Sequence, residues 1–311
     1  MYKYLLLFLL FNFLVYIYIK YCKKWFIDVP NSRSSHVKET PRGSGILVSL
    51  LSCLYSIHSL SSPLVVCFPL SVIGFIDDKK SLSSLIRFFS QFLTVLLIIY
   101  LSINTYFSLE NYINNFAFAF SLFFLILLGT SIINFTNFMD CLDGLINGCM
   151  FVIFLTLLNY NIYLVPLVIC LFSLIFWNWS PAKIFMGDSG SYFLGAIFFS
   201  EIINSSNLED SFYRFLLFSP VFLDAATCLI RRYKQGFNIF KAHRMHLAQR
   251  LFLSGWPHSK ISLLYILVTS ILCLEYLFLA RTLIYFTVLL IILLGIWLDQ
   301  YKAVPFPRRN L

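Results

Sequence analysis

Phe116 to Leu145 reads FAFAFSLFFLILLGTSIINFTNFMDCLDGL. Residues 116–134 carry no charge, and a helix of that length rises far enough to cross ~30 Å of hydrocarbon at ~1.5 Å per residue. The stretch then turns to amides and acids: Asn134, Asn137, Asp140 and Asp143, closed by Gly144. The same pairing of apolar run and polar island recurs along the chain. Asp28 to Gly45, Asp77-Asp78, Pro181 to Ser191 and Arg231 to Arg250 are the other islands. Counting apolar segments puts the five islands after segments one, three, five, seven and nine, on one side of a membrane.

The composition agrees: 59% hydrophobic, 19% aromatic and only 12% charged, against roughly 25% charged in soluble domains. A soluble fold is excluded. The expected fold is all-α, a polytopic integral membrane bundle of about eleven transmembrane helices, at 3–21, 45–60, 62–76, 86–103, 116–134, 144–159, 161–178, 190–203, 214–230, 261–279 and 282–299. Residues 1–311 read as one transmembrane domain, without internal repeat or linker. The first segment resembles a signal peptide in place only: no small-x-small site follows it, and Lys20, Lys23 and Lys24 flank its far end, so it reads as a retained helix.

The net charge is +9, yet the cations are sorted by loop rather than gathered on a nucleic-acid-binding face. All Lys and Arg except Lys3, Arg214 and Arg281 fall on the island side, which the positive-inside rule makes cytoplasmic. The eight cysteines are scattered, mostly in helices, with no metal-ligand spacing, and read as small packing residues.

Of the 14 acidic residues, Asp77, Asp78, Asp140, Asp143 and Asp188 lie at island-side helix ends. Asp77 and Asp78 repel unless a cation sits beside them. A divalent ion would relieve that cost, as would Lys79 and Lys80 at a hydrated helix end. Asn137, Asp140 and Asp143 recur every three residues and, if helical, share one face. Such a stripe beside membrane-length helices calls for a polar cavity. A helix N-cap would account for Asp143 alone. Asp188-Ser189-Gly190 opens the eighth apolar segment, where a helix N-terminus favours phosphate. Asp224, about two turns inside the ninth segment, reads equally as a functional acid or a buried pairing partner. His243-Arg244-Met245-His246 lacks companion ligands for zinc, and guanidinium beside imidazole suits a pyrophosphate with a metal.

Taken together, DVPNSRSSHVKETPRGSG (28–45), GFIDD (74–78), NFTNFMDCLDGL (134–145), PAKIFMGDSGSYFLG (181–195) and HRMHLAQR (243–250) resemble the polyprenyl-phosphate N-acetylhexosamine-1-phosphate transferases, of glycosyltransferase 4 type. His-Arg-x-His and Asp-x-Pro-Asn-x-Arg-Ser-Ser-His resemble the branch that initiates O-antigen. Cys141, Ser44 and Ala248 depart from the family's usual Gly, Gly and Tyr.

The resemblance implies transfer of a HexNAc-1-phosphate (GlcNAc, or a 6-deoxy sugar such as QuiNAc or FucNAc) from a UDP-HexNAc donor to undecaprenyl phosphate, releasing UMP. It implies Mg²⁺, with Mn²⁺ as a substitute, held by Asp188 with Asp77 or Asp78. Asp77 and Asp78 are the expected catalytic residues on the lipid-phosphate side. Asn137, Asp140, Asp143, Phe185, His243, Arg244 and His246 are the expected nucleotide-sugar contacts, and Arg33, His36 and Arg42 candidate phosphate contacts. The expected place is the bacterial inner membrane with the site facing the cytoplasm, the partners are donor, acceptor and lipid bilayer without nucleic acid, and a homodimer is left open. The competing class is a non-enzymatic transporter or flippase of lipid-linked sugars, which would place its acids nearer the bilayer midplane.

Overall fold

The computed structural model describes residues 2–22, 26–30, 35–36, 38–56, 62–106, 115–238, 241 and 243–307, without the side chains of 22, 103–106 and 115–118. Arg33 lies outside the described residues. Thirteen α-helices are described: α1 (Tyr2–Cys22), α2 (Gly45–Ser56), α3 (Pro63–Lys80), α4 (Ser84–Tyr106), α5 (Asn115–Met139), α6 (Leu145–Leu157), α7 (Val165–Asn178), α8 (Asp188–Ile203), α9 (Leu208–Leu217), α10 (Ser219–Lys234), α11 (Leu247–Leu253), α12 (His258–Phe278) and α13 (Leu283–Tyr301).

The centre of the bundle is α8. Every residue from Ser189 to Ile203 is buried, and the helix packs against α2, α3, α4, α5, α6 and α9. Its sequence explains why it can be surrounded. Ser189, Gly190, Ser191 and Gly195 are small, and small residues let helix backbones approach closely in a membrane, where lipid supplies no hydrophobic drive to helix pairing. A Cβ on Gly45 of α2 would stand 2.1 Å from the Gly190 nitrogen, and one on Gly74 of α3 would stand 2.6 Å from the Asp188 carbonyl oxygen. The start of α8 is therefore clamped between the starts of α2 and the end of α3.

Among the described residues, five helices are long and apolar enough to cross a membrane: Tyr2–Tyr21, Ser84–Ser102, Ala119–Met139, His258–Phe278 and Leu283–Tyr301. The pair α9 and α10, bent by 76° at its break, makes a sixth. The chain is thus a polytopic helical membrane protein that mixes long and short helices, with five or six candidate spans among the described residues where eleven were expected. The physical reason is length. Helices α2 and α6, of 12 and 13 residues, rise only about 18 to 20 Å. The 16 residues of α8 are covered by protein rather than lipid, so apolar composition there reports burial. The expected ninth span, 214–230, breaks at Phe218, where Pro220 opens α10 and cannot donate to the preceding turn.

The α1 helix is an integral part of the bundle. Leu7, Phe11 and Val15 are fully buried, and Asn12 Oδ1 accepts the Trp177 indole N–H of α7 at 2.8 Å. At the far end of α8, Glu201 accepts from Asn161 at 2.7 Å, and Asp210 pairs with both Arg214 (2.9 Å) and Arg281 (2.8 Å). These groups lie about 20 Å along α8 from Asp188. The island residues collect at the other end.

Candidate active site

The polar end is organised by a small backbone framework. Strand β1 (Ile27–Asp28) pairs antiparallel with β2 (Thr40–Pro41), and Arg42 continues in parallel pairing to Phe185. Phe185 N–H donates to the Pro41 carbonyl (2.8 Å), while its own carbonyl accepts from Gly43 N–H (3.1 Å) and Ser44 N–H (3.2 Å). The first island is thereby stitched over the loop that opens α8. The His36 and Phe185 rings meet edge to face with centroids 4.9 Å apart.

Gly187 turns that loop into α8 with φ 78° and ψ −179°, a combination open to glycine almost alone. The turn aims the first amides of α8 at a carboxylate from another helix. Asp78 Oδ1 accepts the Asp188 N–H at 2.9 Å, and Asp78 Oδ2 accepts the Ser189 N–H at 3.4 Å. An acid placed there satisfies donors that a helix leaves unpaired and meets the positive end of its dipole. Asp78 Oδ1 also takes the Arg42 guanidinium at 2.5 Å, and its side chain has no exposed surface. Its contacts are those of a structural anchor.

Asp188 differs. Its side chain keeps 21% exposure, with Oδ1 accepting from Asn137 Nδ2 at 2.9 Å and lying 3.5 Å from Arg42. Asn137 donates also to Ser191 Oγ at 3.0 Å, which fixes the amide orientation. Asp77, one residue before Asp78, points the other way around α3. It accepts from the Leu82 N–H (2.6 Å) and Tyr192 hydroxyl (3.3 Å), and Arg87 lies 3.6 Å away. After burial and the charge of Asp78, its carboxyl also helps to hold Asp188 above the usual carboxylate range, against the lowering effect of Arg42.

Asn137, Asp140 and Asp143, which would share one face if helical, are not on one helix. Helix α5 stops at Met139, and Gly144 at φ 73° reverses the chain into α6. Asn137 is the last of the three on helix, while Asp140 and Asp143 lie in the turn. Asp140 is half-buried and makes no side-chain hydrogen bond among the described residues. Burial, with the charges of Asp78 and Asp143 against the opposing charge of Arg42, pushes its pKa up to about 7. Asp143 has the reverse balance: burial alone would raise it, but His258 and the Ala182 N–H outweigh burial and lower it. His258 Nδ1 lies 3.2 Å from Asp143 Oδ1, and its Nε2 sits 3.1 Å from the Ser35 carbonyl. His258 was not singled out from the sequence. Its signal was a histidine opening α12 on the island side of the chain.

Arg42 stands among Asp28, Asp78 and Asp188. Burial alone would lower its proton affinity; those three charges outweigh burial and raise it. It is an internal counter-ion as well as a cation near any incoming phosphate.

Across α5, a second group gathers around Asp224. Its carboxylate accepts the Leu247 (2.7 Å) and Ala248 (3.0 Å) amides opening α11, and the Tyr265 hydroxyl at 2.8 Å. The buried-partner reading accounts for this acid. His246 lies 3.8 Å from Asp224, its ring 6.3 Å from Phe138, next to Asn137 in sequence. The His243 ring is 4.9 Å from that of His246, and Arg244 lies half-buried between them in sequence. Burial, then the charges of His246 and Arg232, hold His243 down to about 3, a neutral imidazole.

The arrangement is a multi-pass membrane protein with an acidic cluster at one end, its oxygens offered by Asp77, Asp140 and Asp188. Residues 60–206 match the family model described as Glycosyl transferase family 4. The Bacillus subtilis "Probable undecaprenyl-phosphate N-acetylglucosaminyl 1-phosphate transferase" is 26% identical over 302 residues, covering 89% of this chain and 84% of that protein. The Mycobacterium tuberculosis "Decaprenyl-phosphate N-acetylglucosaminephosphotransferase" is 28% identical over 290 residues, covering 76% and 72%. A Thermotoga maritima "Undecaprenyl-phosphate alpha-N-acetylglucosaminyl 1-phosphate transferase" is 26% identical over 297 residues, covering 93% of each. The match over residues 60–206 and these relatives support a place among the polyprenyl-phosphate N-acetylhexosamine-1-phosphate transferases of glycosyl transferase family 4.

Proposed function

We propose that this enzyme transfers GlcNAc-1-phosphate from a UDP-linked donor to undecaprenyl phosphate, an early membrane step of cell-envelope polysaccharide synthesis. The names of the Bacillus, Mycobacterium and Thermotoga relatives favour GlcNAc over a 6-deoxy sugar and a polyprenyl phosphate as acceptor. The observation that carries the reading is Asp188: a part-exposed carboxylate, fixed by Asn137 at the start of the central helix, among other acids. The concentration of cations on the island side favours a cytoplasmic site in a bacterial inner membrane.

In the reaction an oxygen of the lipid phosphate attacks the β-phosphorus of the donor. The bond to the bridging oxygen breaks, UMP leaves, and the sugar stays on the new lipid pyrophosphate. Phosphoryl transfer of this kind rests on positioning and charge neutralisation. A lipid phosphate with a second pKa near ~6 is already largely dianionic at neutral pH, so proton removal is a small part of the barrier.

The donor set fits a hard divalent ion. Asp188 with Asp77 would hold Mg²⁺, with Asp140, whose side chain makes no hydrogen bond among the described residues, as a further acid near Asp78 and Arg42. Bound there, the ion neutralises pyrophosphate oxygens. Asp78 is committed to α8 and Arg42 and serves by holding Asp188 in place. Phe185 offers a ring beside the cluster for the base, and neutral His243 and His246 offer hydrogen bonds to the donor. The test is UMP release by purified protein from a panel of UDP-HexNAc donors, with undecaprenyl phosphate and Mg²⁺. Release that needs lipid, metal and Asp188, and is lost in Asp188→Asn, supports the reading. Folded protein that binds lipid phosphate yet releases no UMP from any donor favours a transport role.

A further inference from the structure

We propose that Cys228, His243 and His246 form a second metal site, for a borderline or soft divalent cation of the Zn²⁺ class, distinct from the oxygen cluster at Asp188. Filling it withdraws both histidines from the donor and so inhibits transfer; this second step rests on the transferase reading above.

The three residues are remote in sequence. Cys228 lies inside α10, and the chain must leave that helix and fold back before His243 and His246 reach it. One ligand atom from each nevertheless falls within 4.8 Å of the others. Around a tetrahedral ion with bonds of ~2.0 to 2.3 Å, neighbouring ligand atoms sit roughly 3.3 to 3.8 Å apart. Side-chain rotation closes that difference without moving α10.

The surroundings favour a ligand. Cys228 is 3% exposed and His246 2% exposed. Among the described residues His246 Nδ1 is buried without a hydrogen-bond partner, an arrangement that carries a desolvation cost. The nearest acid is Asp224, at 3.8 Å, and its oxygens are aligned by the α11 amides and Tyr265. A thiolate with that carboxylate offsets the two charges of the ion. The neighbouring guanidiniums are directed to other acceptors: Arg232 to the Asn238 and Lys241 carbonyls, Arg250 to Asp299 and to the Met245 and Val304 carbonyls. Thiolate and imidazole select Zn²⁺, Co²⁺ or Cu over Mg²⁺, which prefers oxygen. Seven described cysteines are free thiols, and among the described residues the Cys228 group is the one in which a thiol joins two imidazoles.

The test uses the full chain in detergent, thiols reduced, with excess Mg²⁺ to occupy the oxygen ligands. Co²⁺ is titrated while the thiolate-to-cobalt charge-transfer absorption is followed, then Zn²⁺ is added. The expected result is one cobalt per chain, displaced by Zn²⁺, with the band lost in Cys228→Ser and in His243→Ala. Cys228→Ser should keep its transfer activity and need about 100-fold more Zn²⁺ for inhibition. Absence of the band in folded wild type, or its survival in Cys228→Ser, overturns the site. Equal Zn²⁺ inhibition of wild type and Cys228→Ser overturns the inhibitory step. A Cys228-dependent cobalt band in a protein that releases no UMP would leave the site standing and sink the transferase reading instead.

Discussion

Asp78 Oδ1 accepts the backbone N–H of Asp188 at 2.9 Å, so the acid at the end of α3 holds the first residue of the central helix. The same oxygen binds Arg42. One carboxylate thus ties together the first island, the second and the fourth, and sets where the Asp188 side chain stands.

Replacing Arg42 with Met removes the cation from between Asp78 and Asp188 while keeping most of its apolar stem. Leaving one buried partner unpaired costs about 3 to 5 kcal/mol. The Arg42→Met variant is expected to unfold at clearly lower temperature in detergent, and to release UMP about 100-fold more slowly, since displacement of a site by ~1 Å has that effect. Unchanged thermal stability would mean that Asp78 is held by its amide bonds alone.

Asn137→Asp keeps the shape of the side chain but replaces a donor to Asp188 Oδ1 with a like charge. Turnover should fall by about 100-fold at neutral pH, with partial recovery as Mg²⁺ is raised, because a bound cation offsets the added charge. A metal titration of UMP release reads this directly; a variant whose loss ignores Mg²⁺ would argue that Asn137 serves only to orient Ser191.

At Gly187 a methyl group meets two obstacles. The backbone conformation costs of order 1 to 3 kcal/mol for other residues, and the new Cβ would stand 2.4 Å from Asp78 Oδ2. Gly187→Ala should therefore lower the apparent melting temperature and depress turnover together. Gly255→Ala, at φ 98° with open space around it, is the control: strain without collision, far from the acids in sequence.

His243 supplies a pH prediction. Its folded pKa of about 3 lies below the ordinary 6.5, so the unfolded chain binds the extra proton first. The stability it contributes is present in full above pH 6.5 and declines as pH falls from there toward 3. His243→Gln should flatten that part of the stability profile, measured by thermal unfolding across pH 4 to 7. Activity should show no inflection from His243 between pH 6 and 8, where the ring stays neutral.

Much of this was legible from residue order. Asp77, Asp78, Asn137 and Asp188 were marked by their position at apolar segment ends, and the structure brings them into contact with one another or with Arg42. The division of labour between adjacent acids was not legible, because a helix turns about 100° per residue and sends Asp77 to Tyr192 and Arg87 while Asp78 meets α8. The stripe at 137, 140 and 143 shares one face only if helical, and α5 stops at Met139 before Gly144 at positive φ leads into α6; spacing carries no record of where a helix stops. His258 escaped notice because its partners, Asp143 and the Ser35 carbonyl, are over 100 residues away.

The sequence by itself determined that this chain lives in a membrane and that Asp77, Asp78, Asp140, Asp143 and Asp188 stand at the island-side ends of its apolar segments. Charge in hydrocarbon is costly unless it is paired, so composition and order suffice for those conclusions. Only the tertiary structure decided which helices are long and which are short, and that α8 is surrounded by protein, because apolar composition is the same whether a side chain meets lipid or protein. It also decided that Asp78 anchors while Asp188 stays accessible, and that Cys228 meets two histidines. Those outcomes follow from how close small residues let α2, α3 and α8 approach, a distance that no linear spacing encodes.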